Sequence, residues 1–413
     1  MPTLVLLLPV ASYRNEDFLA AARALNVDVI EVQNYCHQLA PTWGMGVTQS
    51  VPFDQPERAC AALLPQFRSR TVDAVLAVDD SGTELAALLA RALGVRGNAP
   101  NAVRTLRDKL AFRQLQHAQG FSAPDFRVVH AGTADAIGIN FPVVVKARRL
   151  SASRGVIRAD TPEQLRAAIK RVAAIQAHAD RDAGKLGVIV EDFIPGAEFA
   201  FEGLLDDGEL ATLALFEKPD PLDGPYFEET LYIAPARLDA NTASRLETAV
   251  AAHCHAAGLR NGPVHAEARI NDDDIVLLEV APRSIGGLCG RVLRHSLKIG
   301  LEEVILRNAL GMQVATSRSA GAVGVMMIPI PKRGVLTAVD GVAAARAVDA
   351  IEDCVITAEI GQVVIPPPEG ASYLGFIFAR AETPVEVEAA LRAAHAQLRF
   401  DIVTEYPLAG VSG

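Results

Sequence analysis

The sequence predicts a mixed α/β and α+β protein that opens on a doubly wound parallel sheet. Short apolar runs alternate with alanine-rich helical stretches as far as Leu93, the pattern of β-α units in a parallel sheet. After Gly187 apolar runs come in pairs around Asp-Gly or acidic turns, the pattern of antiparallel hairpins. At 413 residues the chain is longer than one core supports, so roughly two to four domains or lobes are expected.

Leu4–Val10 is the first strand, followed by polar Ser12–Asn15, a helix over Asp17–Leu25 and a strand over Val27–Val32. Val72–Val78 is a further strand, ending at Asp79-Asp80-Ser81-Gly82 before a helix that runs through Leu93. Ligands of doubly wound sheets sit beyond the carboxyl ends of the strands, which makes Ser12–Arg14 and Asp80–Thr83 candidate site loops. No G-x-G-x-x-G is present, so dinucleotide binding has no support. Thr105–Gly120 reads as one amphipathic helix carrying Lys109. Phe141–Ala147 is an apolar strand with Lys146 near its end, costly to bury unless an anion receives it. Leu150–Val156 is a loop of small residues whose amides and hydroxyls could cradle a phosphate. Thr161-Pro162-Glu163-Gln164 starts a helix with a capping box.

Gly187–Phe193 is a strand, and Glu198–Leu205 and Leu210–Glu217 form a hairpin around Asp206-Asp207-Gly208. Lys218–Glu229 is an acidic, proline-rich loop in which Glu228 and Glu229 read as solvated, or as receivers of a substrate ammonium. Helices follow at Thr242–Ala257 and Leu301–Leu310, and Ala315–Ala320 reads as a linker. The tail, with strands in 321–330, 357–364 and 373–380 and a capped helix over Thr383–Leu398, is an α+β unit.

Composition narrows the function. Half of the residues are hydrophobic and 21% charged, as in soluble globular proteins. A net charge of −10 without a basic stripe argues against nucleic acid. Cys36, Cys60, Cys254, Cys289 and Cys354 form no Cys-x-x-Cys pair, so neither a zinc cage nor a disulfide framework is supported. His253-Cys254-His255 reads as structural, because i,i+2 side chains on a helix diverge. No apolar run approaches the ~18 residues of a membrane span, and Met1–Arg14 lacks a basic signal-peptide start. A cytoplasmic protein is expected.

The centre of the chemistry is Gly262–Arg291. Pro263–Ile270 and Ile275–Ala281 read as two strands around an acidic turn. A three-residue loop at Asp272–Asp274 sets Glu267 opposite Glu279 on one face, whereas a two-residue loop puts them on opposite faces. Opposed acids need a cation between them, and Mg²⁺ takes one or two carboxylates plus substrate phosphates. Two solvated acids on an exposed hairpin are the alternative. By parity His265 and Arg269 share the face of Glu267.

In this order, Lys109, Lys146, the small-residue loop, the E-x-x-x-x-G-x-E of Glu191–Glu198, Glu267, Glu279 and Arg283 resemble the ATP-grasp superfamily. The resemblance implies a Rossmann-like domain over 1–104, an ATP-grasp domain over 105–314 with a lid at about 125–193, and a C-terminal domain over 320–413. It implies ATP contacts from Lys109, Lys146, Ser151, Ser153, Arg154, Gly155 and Val156, an adenine hinge at Glu191, Asp192, Phe193 and Ile194, and a ribose carboxylate at Glu198. Glu267 and Glu279 match the ligands of Mg²⁺, or of Mn²⁺ in its place, and Arg283 matches the arginine that stabilises the transferring phosphoryl group. Ser284, Gly286, Gly287 and His265 are candidate substrate contacts.

Two departures from the pattern matter. The loop is poor in glycine, and Glu279-Val280-Ala281 stands where many members have E-x-N. E-x-A-x-R-x-x-G-G and the tail around IPIPKRGVL are similar to the L-amino acid ligases, which join amino acids into dipeptides or related amides. That resemblance implies an ATP-dependent carboxylate-amine ligase acting on small molecules, with a homodimer as the default assembly. Ligases or carboxylases with a non-amino-acid acceptor, and a nucleotide-binding protein without catalysis, are the rival readings.

Overall fold

The computed structural model describes residues 1–10, 12–34, 49–130, 140–179, 185–271, 274–314 and 320–404. The chain divides into two compact units, one of 1–128, 194–216 and 236–319, the other of 129–193, 217–235 and 320–413.

The first unit opens on strands β1 (Thr3–Leu8), β2 (Asp28–Gln33), β3 (Gln49–Ser50) and β4 (Ala74–Ala77), all parallel in the order β3-β2-β1-β4. β1 is central and buried from Leu4 to Leu8, which is why it reads as an unbroken apolar run. Helices α1 (Asn15–Ala24), α2 (Pro56–Phe67) and α3 (Asp80–Leu93) complete this doubly wound part. Asp80–Thr83, expected as a loop, are instead the first turn of α3. The expected Thr105–Gly120 helix is two helices, α4 (Pro100–Arg107) and α5 (Lys109–Gln119). Asp108 divides them with an extended backbone (φ −103°, ψ 110°), and its carboxylate caps α5 by accepting the Leu110 N–H.

The rest of this unit is an antiparallel sheet under helices. Strands β9 (Ala197–Asp206), β10 (Glu209–Lys218), β12 (Gly262–Ile270) and β13 (Ile275–Ala281) lie in the order β13-β12-β9-β10. Helix α7 (Ala240–Ala257) joins α4 and α5 over an apolar core that includes Phe112, Phe201, Leu246 and Leu277. Short α8 (Leu293–Leu297) and α9 (Leu301–Ala309) follow. Cys254 and His253 are buried and His255 is exposed, in line with a structural triplet.

β5 (Phe126–Val129) ends at Val129, the first residue of the second unit. β6 (Val143–Lys146) pairs antiparallel with β7 (Val156–Ala159) and β8 (Val188–Asp192) under α6 (Pro162–Ala179). The cap of α6 differs from the expected box: Thr161 Oγ1 accepts the Gln164 N–H, but Gln164 Oε1 reaches back to the Asp160 N–H, at 2.6 Å. Strands β11 (Leu231–Ala234), β14 (Ala322–Ile328), β16 (Ile351–Ile356) and β18 (Gly375–Ala381) run antiparallel in the order β11-β14-β18-β16, with α11 (Pro384–His395) packed on β14 and β18. A second sheet orders β17 (Val363–Val364), β15 (Gly334–Asp340) and β19 (Arg399–Val403) as β17-β15-β19, and α10 (Val342–Arg346) is one short turn. The strand expected over 357–364 shrinks to Val363–Val364, and the main strand of that region is Ile351–Ile356. The capping box of Thr383 and Glu386 forms as expected. The Ala315–Ser319 part of the expected linker, Cys36, Asp272 and Asp273 lie outside the described residues. Among the described residues no helix is long and apolar enough to cross a membrane.

Candidate active site

Glu267 faces Glu279 across β12 and β13, but not for the expected reason. Asn271 and Asp274 exchange both backbone hydrogen bonds, so the loop between them has two residues rather than three. From this turn the register runs Ile270↔Ile275, Arg269↔Val276, Ala268↔Leu277, which by itself would set Glu267 against Leu278. A bulge at Leu278 inserts one unpaired residue and restores the Glu267↔Glu279 pairing. The two acids therefore share a face.

Further acids and bases gather on this face in the first unit. β9 supplies Glu198 opposite Arg269, and Glu202 opposite His265. His265 Nδ1 binds Glu202 Oε1 at 2.5 Å, and Nε2 lies 3.3 Å from Glu267 Oε1. Burial pushes this imidazole's pKa down, but the charge and hydrogen bond of Glu202, helped by Glu267, raise it to about 9. His265 is thus an imidazolium at neutral pH. Glu202, fully buried, also accepts the Ile285 N–H at 3.0 Å. Arg269, buried as well, donates to Glu198 Oε2 at 3.1 Å and to the Ile194 carbonyl at 2.8 Å.

Arg283 leaves β13 into a nest of oxygens. Its Nε donates to Asp80 Oδ2 at 2.8 Å, Nη2 to Glu279 Oε1 at 3.4 Å and Nη1 to the Ser284 carbonyl at 3.1 Å. Burial opposes its charge, yet Asp80 and Glu279 hold the guanidinium protonated beyond its ordinary range. Burial likewise opposes the Asp80 charge, but Arg283, aided by Arg107 and Lys109, holds that carboxyl below its usual pKa. Lys109 Nζ lies 3.9 Å from Glu279 Oε2. Ser284 is buried, and Arg14 from the loop after β1 donates to its hydroxyl at 2.6 Å and to its carbonyl at 3.4 Å. At Gly286 an added Cβ would meet only open space, and Gly287 has φ +59°. Both candidate loops of the doubly wound part thus reach residues of the Arg283 segment, one through Arg14 and the other through Asp80.

The second unit holds the remaining candidates. The anion that receives buried Lys146 is Glu191, its ion-pair partner on neighbouring β8. In the loop before β7, Ala152, Ser153 and Gly155 have positive φ, and the Arg154 N–H closes a turn onto the Ser151 carbonyl at 3.2 Å. The Gly155 N–H donates to the Pro368 carbonyl at 2.8 Å, so this amide serves the protein's own backbone. Arg154 Nε is buried with no hydrogen-bond partner among the described residues. Val156 begins β7 and pairs with Lys146, Asp192 ends β8, and the Phe193 ring lies under the Arg158 guanidinium, 4.3 Å from its Cζ. Glu228 and Glu229 are not the solvated pair expected. Both are half-buried; Glu229 takes Lys218 Nζ at 2.5 Å, and Glu228 accepts the Ile330 N–H at 3.3 Å while burial raises its pKa.

Sequence reading named the segments of Arg14 and Asp80 as candidate site loops without giving either residue a partner, and it missed Glu202. A signal for Glu202 existed: Glu198 and Glu202 are evenly spaced in one apolar strand, so they share a face. Two opposed carboxylates, with Lys109, His265 and Arg283 against their oxygens, make an all-oxygen donor pair that fits a hard divalent ion.

Residues 139–292 match the model of the ATP-grasp domain, and residues 326–403 that of the L-amino acid ligase C-terminal domain 2. The chain is thus a protein with an ATP-grasp domain. Within that class it carries the C-terminal domain of the L-amino acid ligases. The crystal structure of L-amino acid ligase from Bacillus licheniformis superposes with a TM-score of 0.81 at 25% identity, over 98% of this chain and 99% of that one. The D-alanine–D-alanine ligase of Ralstonia nicotianae (strain ATCC BAA-1114 / GMI1000) is 28% identical over 274 residues, 62% of this chain and 79% of that protein. Carnosine synthase 1 of Gallus gallus is 30% identical over 259 residues, 57% of this chain but only 28% of that much longer protein.

Proposed function

We propose that this protein uses ATP to activate the carboxylate of an amino acid and joins it to the amine of a second amino acid or related amine. A carboxylate oxygen attacks the γ-phosphorus of ATP, ADP leaves, and an acyl phosphate remains. The amine nitrogen then attacks the acyl carbon, phosphate departs with the bonding electrons, and the nitrogen sheds a proton to give the amide. The observation that carries this reading is the Glu267–Glu279 pair beside the Arg283 fork. Glu267 and Glu279 would hold Mg²⁺, whose chemistry is to neutralise charge on phosphate oxygens. Arg283 offers planar, paired donors to phosphoryl and carboxylate oxygens, a geometry that a point charge lacks. Lys109, beside Glu279, is suited to the phosphates, and Gly286 leaves room for the acid.

The test is phosphate release from ATP and Mg²⁺ with each amino acid singly, in pairs, and with hydroxylamine. An amino acid that yields hydroxamate alone is the activated acid, and one that only raises turnover in a pair is the amine. ATP binding without acid-dependent ADP release across that panel and a panel of small carboxylic acids would overturn the proposal. Turnover only with bicarbonate or a sugar-phosphate amine would overturn the choice of acceptor.

A further inference from the structure

We propose that Arg113 is a positioning residue: its guanidinium holds the β-bulge at Leu278 and thereby sets Glu279 on the metal-binding face beside Glu267. The inference rests on the reading of that pair as a metal site. Arg113 lies on α5, one turn beyond Lys109, and Gln116 follows on the same face. Both are buried in the first unit, Arg113 with 1% and Gln116 with 0% exposure. Arg113 Nη1 donates to the Leu277 carbonyl at 3.1 Å, and Nη2 donates to the Leu278 carbonyl at 3.2 Å. Gln116 Nε2 adds a second bond to the Leu277 carbonyl at 3.1 Å, and its Oε1 accepts from Arg113 Nη1 at 2.7 Å.

Consecutive carbonyls of a regular strand point to opposite sides, so one side chain cannot take both. At Leu277 and Leu278 both are presented to one guanidinium, which requires the irregular backbone of the bulge. The fork of Arg113 matches two adjacent oxygens, whereas a lysine serves only one such position well. Without the bulge the turn's register would continue to Glu267↔Leu278, and alternation would turn Glu279 to the opposite face. Arg113 needs no contact with metal or nucleotide to act in this way. It acts through the backbone one residue before the carboxylate.

The experiment compares full-length Arg113→Lys and Arg113→Met with the wild type. Mn²⁺ binding in the presence of ADP is measured by electron paramagnetic resonance, ADP binding by calorimetry without metal, and amide hydrogen exchange over the 275–281 strand by mass spectrometry. The expected result is a Mn²⁺ dissociation constant raised about 10–100-fold, the usual effect of removing a group that orients a ligand. Metal-free ADP affinity should stay unchanged and exchange should rise at Leu278 and Glu279; a merely structural role would not separate the two affinities. A folded Arg113→Lys with wild-type Mn²⁺ affinity and wild-type exchange at these amides overturns the proposal. Should Arg113→Met fail to fold, Arg113→Lys, which keeps the charge, carries the test. Should wild type itself bind no Mn²⁺ with ADP, the metal reading is what fails, and unchanged exchange in Arg113→Lys would separately overturn the claim about the bulge.

Discussion

Glu202 offers a test that needs no substrate. It is fully buried and has two tasks, facing the His265 imidazolium at 2.5 Å and accepting the Ile285 N–H at 3.0 Å. Glu202→Leu removes both at once. Breaking a buried ion pair from one side costs about 3–5 kcal/mol. An orphaned buried N–H costs about 1–3 kcal/mol more, and the two overlap because His265 can shed its proton. A total near 4–6 kcal/mol is therefore expected for Glu202→Leu. Glu202→Gln keeps a carbonyl for Ile285 and an N–H for a neutral His265, so only the charge is lost, at about 1–3 kcal/mol. Urea unfolding at neutral pH, with divalent ions chelated and followed by circular dichroism, reads both variants against wild type. The reasoning fails if Glu202→Leu lies within about 1 kcal/mol of wild type, or if Gln costs as much as Leu.

Two further outcomes are expected. Arg283→Lys cannot span Asp80, Glu279 and the Ser284 carbonyl, so it should lose about 3–5 kcal/mol of transition-state stabilisation, several hundred-fold or more in acid-dependent phosphate release. It should do nearly as badly as Arg283→Ala, and a lysine variant keeping a tenth of the activity would reduce the arginine to bulk charge. His253 is held neutral by burial, its Nδ1–H given to the Ala249 carbonyl and its Nε2 accepting from Gln116. Its pKa is lowered on folding, so below about pH 6.5 the unfolded chain takes up a proton that the folded chain refuses. Stability should therefore fall towards acid, and urea midpoints of His253→Gln across that range should show a slope shallower by up to about 1.4 kcal/mol per pH unit. An unchanged slope would show that His253 protonates freely in the fold.

By itself the sequence determined the class of each layer and which side chains of β12 share the face of Glu267. Apolar continuity in Leu4–Leu8 marks a central parallel strand, because both faces must be buried. Parity within β12 puts His265, Glu267 and Arg269 on one face, and the structure pairs His265 and Arg269 with Glu202 and Glu198 across β9. Local signals also sufficed for the Thr383 capping box and the Asp207-Gly208 turn, where the interacting residues are neighbours in the chain. What could not be read locally was anything whose cause lies far along the chain. The break at Asp108 is the exception, a local cap by one carboxylate that the surrounding helical pattern masked. The loop after β1 and the first turn of α3 gained their meaning only when Arg14 reached Ser284 and Asp80 reached Arg283. The register of the two glutamates was decided in the same way. The turn alone places them on opposite faces, and it is the bulge, gripped by an arginine 165 residues away, that brings them together. Alternation along a strand is a local property of the backbone, but an interruption of it is held in place only by the tertiary fold.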